Sequence, residues 1–283
     1  MARYVRNPMT DTGNATSGGE KIIVVKNLVK TFKDFRAVDD ISFEVEAGKI
    51  FGFLGPNGAG KTTTIKMLTT TLAPTSGTVL LDGHDPRKSS LAARRSFGIV
   101  FQDPSLDSEL TAHENMKLHA VLYRVPWGEQ SARIEAALKF VGLWDRRASL
   151  AKTFSGGMKR RLEIARSLLH TPRILFLDEP TLGLDPQTRN HIWEYIQTLA
   201  RERKMTVFFT THYMDEADRV ADNIAIIDRG KIIASGPPAA LKRNAGAATL
   251  EEAFIALTGH AIREEEATTK DRMRDMGRIW GRR

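Results

Sequence analysis

Cysteine is absent from all 283 residues of the sequence. That excludes disulfides, thiolate metal sites and thiol nucleophiles, so any metal is held through oxygen or imidazole. Long apolar runs are absent too. None reaches the roughly 20 residues needed to cross a bilayer, the longest being strand-sized. Residues 1–20 lack the apolar core of a signal peptide; rich in Asn, Thr, Gly and Ser, they read as a disordered leader. The expected location is therefore the cytosolic side. What is present is ordinary for a globular protein, with 41% hydrophobic and 27% charged residues. The length exceeds the usual single domain, predicting one larger domain with an inserted lobe or two small ones. The net charge of +8 fits nucleic acid, anionic lipid or solubility, and by itself does not choose among them.

The stretch that organises the chain is Gly55-Pro56-Asn57-Gly58-Ala59-Gly60-Lys61-Thr62-Thr63, which fits G-x-x-x-x-G-K-[ST] at every position. Ile50-Phe51-Gly52-Phe53-Leu54 before it reads as a buried strand, and residues 62–71 open a helix whose first N–H groups point at the turn. Backbone N–H groups of residues 58–62 then face the β- and γ-phosphates of a nucleotide, and the helix dipole favours the anion. Lys61 adds a mobile positive charge, and Thr62 supplies a hydroxyl for Mg²⁺, a hard ion that takes oxygen ligands.

Taken in order, Ile22-Ile23-Val24-Val25 starts a first strand and residues 28–32 lead into a turn, while the period-two run Ile41-Ser42-Phe43-Glu44-Val45 predicts a half-buried antiparallel strand. Thr78-Val79-Leu80-Leu81 and Phe97-Gly98-Ile99-Val100-Phe101 are further strands. Between residues 111 and 143 the period becomes helical, with Met116, Leu118, Val121 and Leu122 in one segment, Ile134, Ala137, Leu138 and Val141 in the next, and Pro126-Trp127-Gly128 separating them. Strands return at residues 174–177, 206–210 and 224–227 as continuous apolar runs, the pattern of a parallel sheet covered on both faces. Beyond Gly236-Pro237-Pro238 the chain turns helical around residues 250–257. Met273, Met276, Ile279 and Trp280 lie among Arg272, Arg274, Arg278, Arg282 and Arg283 at helical spacing, which predicts a small basic amphipathic helix or else a frayed solvated tail.

A second motif ends the strand Ile174-Leu175-Phe176-Leu177. Asp178 at its carboxyl end is placed to hold Mg²⁺ through water, and Glu179 to orient or deprotonate the attacking water. Between the two motifs lies Phe154-Ser155-Gly156-Gly157-Met158, in which Ser155 is an N-cap type of residue and Gly156 and Gly157 let a helix terminus approach an anion.

This order and spacing resembles the ATPase subunit of ABC transporters over residues 22–259, and most of all the stand-alone cassettes of the drug-resistance type. Two positions depart from the family signature: Phe154 stands for its usual leucine and Met158 for its usual glutamine. The resemblance implies an α/β fold with a RecA-like P-loop NTPase core of mainly parallel sheet, an N-terminal antiparallel β-subdomain and an inserted α-helical subdomain. It further implies that Gln102 senses Mg²⁺ and the lytic water, that Leu182-Gly183-Leu184-Asp185-Pro186 is the D-loop, and that His212 reaches the γ-phosphate. Phe32 matches the position that stacks on adenine, with Phe35 three residues away.

The implied division is a leader at 1–20, an ATPase domain at 21–240 with its helical subdomain at about 103–170, and a helical extension with basic tail at 241–283. The cofactors implied are ATP and Mg²⁺. The implied partners are a second copy joined head to tail, so that each site pairs one P-loop with the other chain's signature, and a separate membrane permease. That would hold the chain at the cytoplasmic face of the membrane, with the tail offering contact to anionic lipid and no nucleic acid expected. The alternative is a cassette acting on nucleic acid or translation. The gap of about ninety residues between P-loop and signature has no room for the coiled coils of DNA-repair cassettes, and there is no second P-loop of the translation type.

Overall fold

The computed structural model describes residues 19–259. Nearly all of the leader, and the basic stripe after residue 266, lie outside that range. Strands β1 (Lys21–Phe32) and β2 (Phe35–Glu46) form an antiparallel hairpin whose last register pair is Phe32 with Phe35. Residues 28–32, expected to lead into the turn, remain strand, because Leu28 is buried and still paired with Ile41; the turn is only Lys33 and Asp34. Strand β3 (Ile50–Leu54) and helix α1 (Lys61–Leu68) follow, and β4 (Ser76–Leu81) returns to the free edge of β1, completing a three-stranded sheet β2-β1-β4.

Helix α2 (Ser90–Ser96) runs straight into β5 (Phe97–Val100), and then come the lobe helices α3 (Ala112–Leu122), α4 (Trp127–Phe140) and α5 (Gly156–Ser167). Strand β6 (Ile174–Asp178), helix α6 (Pro186–Arg203), β7 (Thr206–Thr211), α7 (Met214–Val220), β8 (Asn223–Asp228), β9 (Lys231–Gly236), α8 (Pro238–Ala245) and α9 (Leu250–Thr258) complete the described chain. The larger sheet has the order β5-β6-β7-β3-β8-β9, parallel throughout except for the β8–β9 hairpin. That edge strand went unread in the sequence because half-buried Lys231-Ile232-Ile233-Ala234 follows a Gly230 turn and lacks a continuous apolar run.

Period-two alternation sorts the strands' apolar residues onto two faces. Phe51, Phe53 and Phe208 meet Phe43 of the antiparallel sheet, and Phe176 meets Phe208, in a cluster of rings 5.5–5.9 Å apart. A fully buried phenylalanine contributes about 1.5–3 kcal/mol, so this cluster is a principal bond between the two sheets. On the opposite face Leu175, Leu177, Val207 and Phe209 pack against Trp193 and Ile196 of α6, and Leu241, Leu250 and Phe254 of the last two helices join the same layer.

The helical lobe has its own core, built from Met116, Ala120, Ile134, Leu138, Phe154 and Leu162. Two expectations change here. Trp127 and Gly128 form the first turn of α4, with only Pro126 outside as its N-cap, since proline's fixed φ suits a helix entrance. Leu118, Val121 and Leu122 point outward, up to 68% exposed, because Met116 and Ala120 take the buried face of α3.

Candidate active site

Strands β3, β6 and β7 are parallel neighbours, so their carboxyl ends share one edge of the sheet. The register sets Leu54 opposite Thr211 and Asp178 opposite Thr210. Three segments far apart in sequence, the P-loop, the Asp178-Glu179 pair and His212, therefore emerge side by side.

The P-loop begins where Gly55 passes so close to β8 that an added Cβ would stand 2.2 Å from the Ile227 carbonyl oxygen. It ends at Gly60, whose φ of 108° admits only glycine and whose Cβ would meet the Ala37 carbonyl at 2.6 Å. Between them Pro56, Asn57, Gly58 and Ala59 make the turn, closed by the Ala59 N–H donating to the Pro56 oxygen at 3.2 Å. No side chain caps α1, so the N–H groups of its first turn, through Thr62 and Thr63, stay available for an anion.

Lys61 is buried and donates to the carbonyls of Gly55 at 2.7 Å and Pro56 at 3.2 Å, while its ammonium lies 3.3 Å from Glu179 Oε1. The other oxygen of Glu179 is 2.7 Å from His212 Nδ1. Burial pushes the Glu179 carboxyl up, but the His212 hydrogen bond and the Lys61 charge outweigh it and hold the group below the usual carboxylate range. Glu179 is thus ionised at neutral pH, as a base must be. Its backbone is left-handed at φ 50°, a conformation fixed by its N–H donating to both the carbonyl and hydroxyl oxygens of Thr210.

Asp178, 1% exposed, accepts from the Thr210 hydroxyl at 2.6 Å and lies 3.5 Å from the Thr62 hydroxyl. Burial pushes its carboxyl up, and the Glu179 charge adds to this against the opposing Thr210 hydrogen bond. A buried carboxylate beside a threonine hydroxyl, disfavoured as an anion, is a donor pair suited to a hard divalent cation. Among the described residues no cluster of three or more His, Asp or Glu forms an all-protein metal site.

Other predicted residues are held by contacts of their own. Ser155 caps α5 by accepting from the Met158 N–H at 3.3 Å. Gly156 and Gly157 pack on Leu184 and Thr188, and a Cβ on Gly157 would fall 2.5 Å from a Thr188 methyl. Phe154 in place of leucine is buried in the lobe core, with Met158 packed partly against it. Asp185 caps α6 through the Thr188 N–H at 3.0 Å, and the Thr188 hydroxyl holds its carboxyl below the usual range. Phe32, 45% exposed at the hairpin tip, has only the Lys30 ammonium over its ring. Gln102 is exposed just past β5, and its backbone oxygen accepts from Arg160 at 3.0 Å.

That last contact belongs to a network the sequence did not disclose. Arg160 also donates to the Phe101 carbonyl at 2.5 Å, Glu163 accepts from the Ser105 N–H at 2.7 Å, and Arg166 donates to the Ser105 carbonyl at 2.9 Å. Three α5 side chains thereby fasten the segment carrying Gln102 to the signature helix. The sequence marks this network only through Glu163 at i+3 from Arg160.

Comparison with known proteins agrees with this geometry. The ABC transporter family matches residues 38–182. The chain is 44% identical over 230 residues to the daunorubicin/doxorubicin resistance ATP-binding protein DrrA of Streptomyces peucetius, covering 81% of this chain and 69% of the relative. It is 41% identical over 243 residues to the linearmycin resistance ATP-binding protein LnrL of Bacillus subtilis, covering 86% and 76%. A solved ATP-binding subunit of an ABC transporter superposes with a TM-score of 0.76 at 30% identity, covering 84% of this chain and 99% of that one. A dimeric ATP-binding cassette bound to ADP and Pi gives 0.69 at 28% identity, covering 76% and 98%. With a complete P-loop, an ionised carboxylate beside it and these relatives, the chain belongs to the ABC transporter family, as one of its ATP-binding, ATP-hydrolysing subunits.

Proposed function

We propose that two copies of this chain close head to tail around two ATP molecules and so drive export of a drug-like or lipophilic compound through a separate membrane permease. The observation that carries this reading is the division of labour within one chain: Lys61, Asp178, Glu179 and His212 converge, whereas Ser155 caps α5 at Met158 and Gly156 and Gly157 pack on Leu184 and Thr188. Each pole offers helix N–H groups to a phosphate, and a second copy brings one pole to the other.

In this reading the P-loop N–H groups and Lys61 hold the β- and γ-phosphates. Thr62, Asp178 and Gln102 would hold Mg²⁺, which would supply charge neutralisation to the phosphate oxygens. Ionised Glu179 takes a proton from the attacking water, and His212, bonded to the same carboxylate, fixes its orientation. Phe32 stacks on adenine, and Asp185 presents the D-loop to the second copy. The ATPase domain runs over residues 21–240 with its helical lobe at about 103–170, and residues 241–259 dock on it.

No described helix is long and apolar enough to span a membrane. Attachment at the cytoplasmic face is assigned to the permease. Leu91 and Leu122 with Arg94, Arg95 and Arg124 line a cleft of about 200 Å³, which offers an apolar, cationic seat to it. The drug-resistance names of the two relatives support a drug-like cargo. The tail contact with anionic lipid is assigned from the arginine stripe alone, each basic residue adding about 1 kcal/mol; equal vesicle binding after removal of the residues beyond 266 would dispose of it.

The test is a tagged heterodimer carrying Lys61→Ala and Ser155→Arg. Both changes in one chain damage both composite sites; divided between the chains, they fall on one site and spare the other. Nucleotide retention by the divided arrangement should exceed that of the combined one. Equal retention would sink the head-to-tail sandwich.

A further inference from the structure

A cluster of partly buried polar groups lies behind the active site and takes no part in the chemistry above. From the Arg189 guanidinium on α6, Nε donates to the Leu184 carbonyl at 2.9 Å and Nη2 to the Tyr213 hydroxyl at 3.3 Å, while its central carbon lies 4.1 Å from the centre of the Tyr213 ring. The Tyr213 ring in turn lies 4.2 Å from that of His212, centre to centre. Glu216, 2% exposed on α7, accepts from the Thr181 hydroxyl at 2.7 Å with one oxygen; its other oxygen has no hydrogen bond and faces Arg189 at 4.0 Å.

The segment from Glu179 to Asp185 is therefore pinned at Thr181 and at Leu184, and both pins lead to Arg189. Between them Leu182 and Gly183 form a tip, Leu182 being exposed and Gly183 left-handed at φ 74° with nothing near its missing Cβ. A contact made at that tip can move the Leu184 carbonyl. A guanidinium is planar and rigid, with its donors in a fixed fork, so it transmits such a displacement to a stacked ring where a flexible ammonium would not.

We propose that Arg189 is a positioning residue: it links the 181–185 loop to Tyr213, and through the Tyr213 ring it sets the His212 imidazole against Glu179. The inference rests on the two-chain reading, in which the loop tip meets the second copy. It assigns a mechanical route by which arrival of that copy steadies the hydrolytic pair, already bonded at 2.7 Å in the single chain. Glu216, held by the Thr181 hydroxyl, walls the guanidinium on one side at 4.0 Å.

The experiment uses the full chain with Arg189→Met, which keeps the stem's bulk, and Arg189→Lys, which keeps the charge. Steady-state ATP hydrolysis should lose about tenfold or more in kcat in both variants, since misplacing a reacting group costs rate rather than affinity. KM should change by less than about threefold. Tyr213→Leu should cause a similar loss, and the double variant should lose no more than either single change, the signature of one shared path. Normal kcat in Arg189→Met, or independent, additive losses in the cycle, would overturn the proposal. Should Arg189→Met fail to fold, Tyr213→Leu carries the test, and unchanged turnover there overturns it equally. Glu179→Gln separates the two readings. If it traps a dimer in ATP while Arg189→Met hydrolyses normally, only this inference fails; if no dimer is trapped, the sandwich fails and takes the inference with it.

Discussion

The P-loop pole and the signature pole of this chain differ in how they satisfy themselves. At the first, Lys61, Glu179, His212, Asp178 and Thr210 are joined in one buried set of charges and hydrogen bonds. At the second, Ser155 caps a helix beside an open cleft of about 330 Å³ lined also by Met158, Arg161, His191 and Tyr195. Each begins a helix, yet only at the first does a buried carboxylate lie against both a lysine and a histidine. In the proposed reading binding is distributed over the surface, whereas the chemistry is concentrated where three parallel strands end.

Removing the base gives the largest expected effect. Glu179→Gln keeps a hydrogen bond to His212 but cannot accept a proton, so turnover should fall at least about a hundredfold while ATP is still bound, as read by single-turnover hydrolysis and filter binding. Near-normal turnover would remove Glu179 from that role. At the other pole, Gly157→Ala drives a methyl into Thr188, and an overpacked contact of this kind costs about 1–3 kcal/mol. ATP-dependent dimerisation should weaken, with nucleotide affinity of the isolated chain unchanged; loss of that affinity instead would show that the poles are not separable within one chain.

Phe32→Ala sharpens the comparison by asking whether the hairpin tip belongs to the P-loop pole. Loss of a stacked ring should weaken ATP binding by roughly 1–3 kcal/mol in a titration. Unchanged affinity transfers the role to Phe35 or to another group.

The smallest expected effect lies in the lobe. His119, flanked by Tyr123, His170 and Arg166, is pushed down to about 3 by burial, with Arg166 and then His170 adding to it. A base whose folded pKa lies below its unfolded value is protonated first in the unfolded chain, so it subtracts stability as pH falls from about 6.5 towards 3. Between pH 7 and 5 this costs up to about 2 kcal/mol. In His119→Gln the fall in melting temperature over that interval should be smaller; an identical fall would place the acid sensitivity elsewhere.

Legibility in the sequence followed the same boundary. The strand before the P-loop, the apolar runs of β6, β7 and β8 and the Asp178-Glu179 pair were readable because a buried strand and a phosphate turn each require particular residue types at adjacent positions. The outward face of Leu118, Val121 and Leu122 was not, since a helical period shows that one face is apolar and not which neighbour it meets. Nor were Arg160 and Arg189, because a charge followed along the chain looks solvated until the carbonyl it serves, at Gln102 or Leu184, is brought to it.

By itself the sequence determined the P-loop, the Asp178-Glu179 pair and the family signature, since local backbone chemistry demands those residues at those spacings. Only the tertiary structure decided that Lys61, Glu179 and His212 share one buried centre, that Ser155 does not, and that Arg189 ties a loop to Tyr213. Parallel strand register brings chain ends together across more than a hundred residues, and no local pattern encodes which long side chain will bridge them.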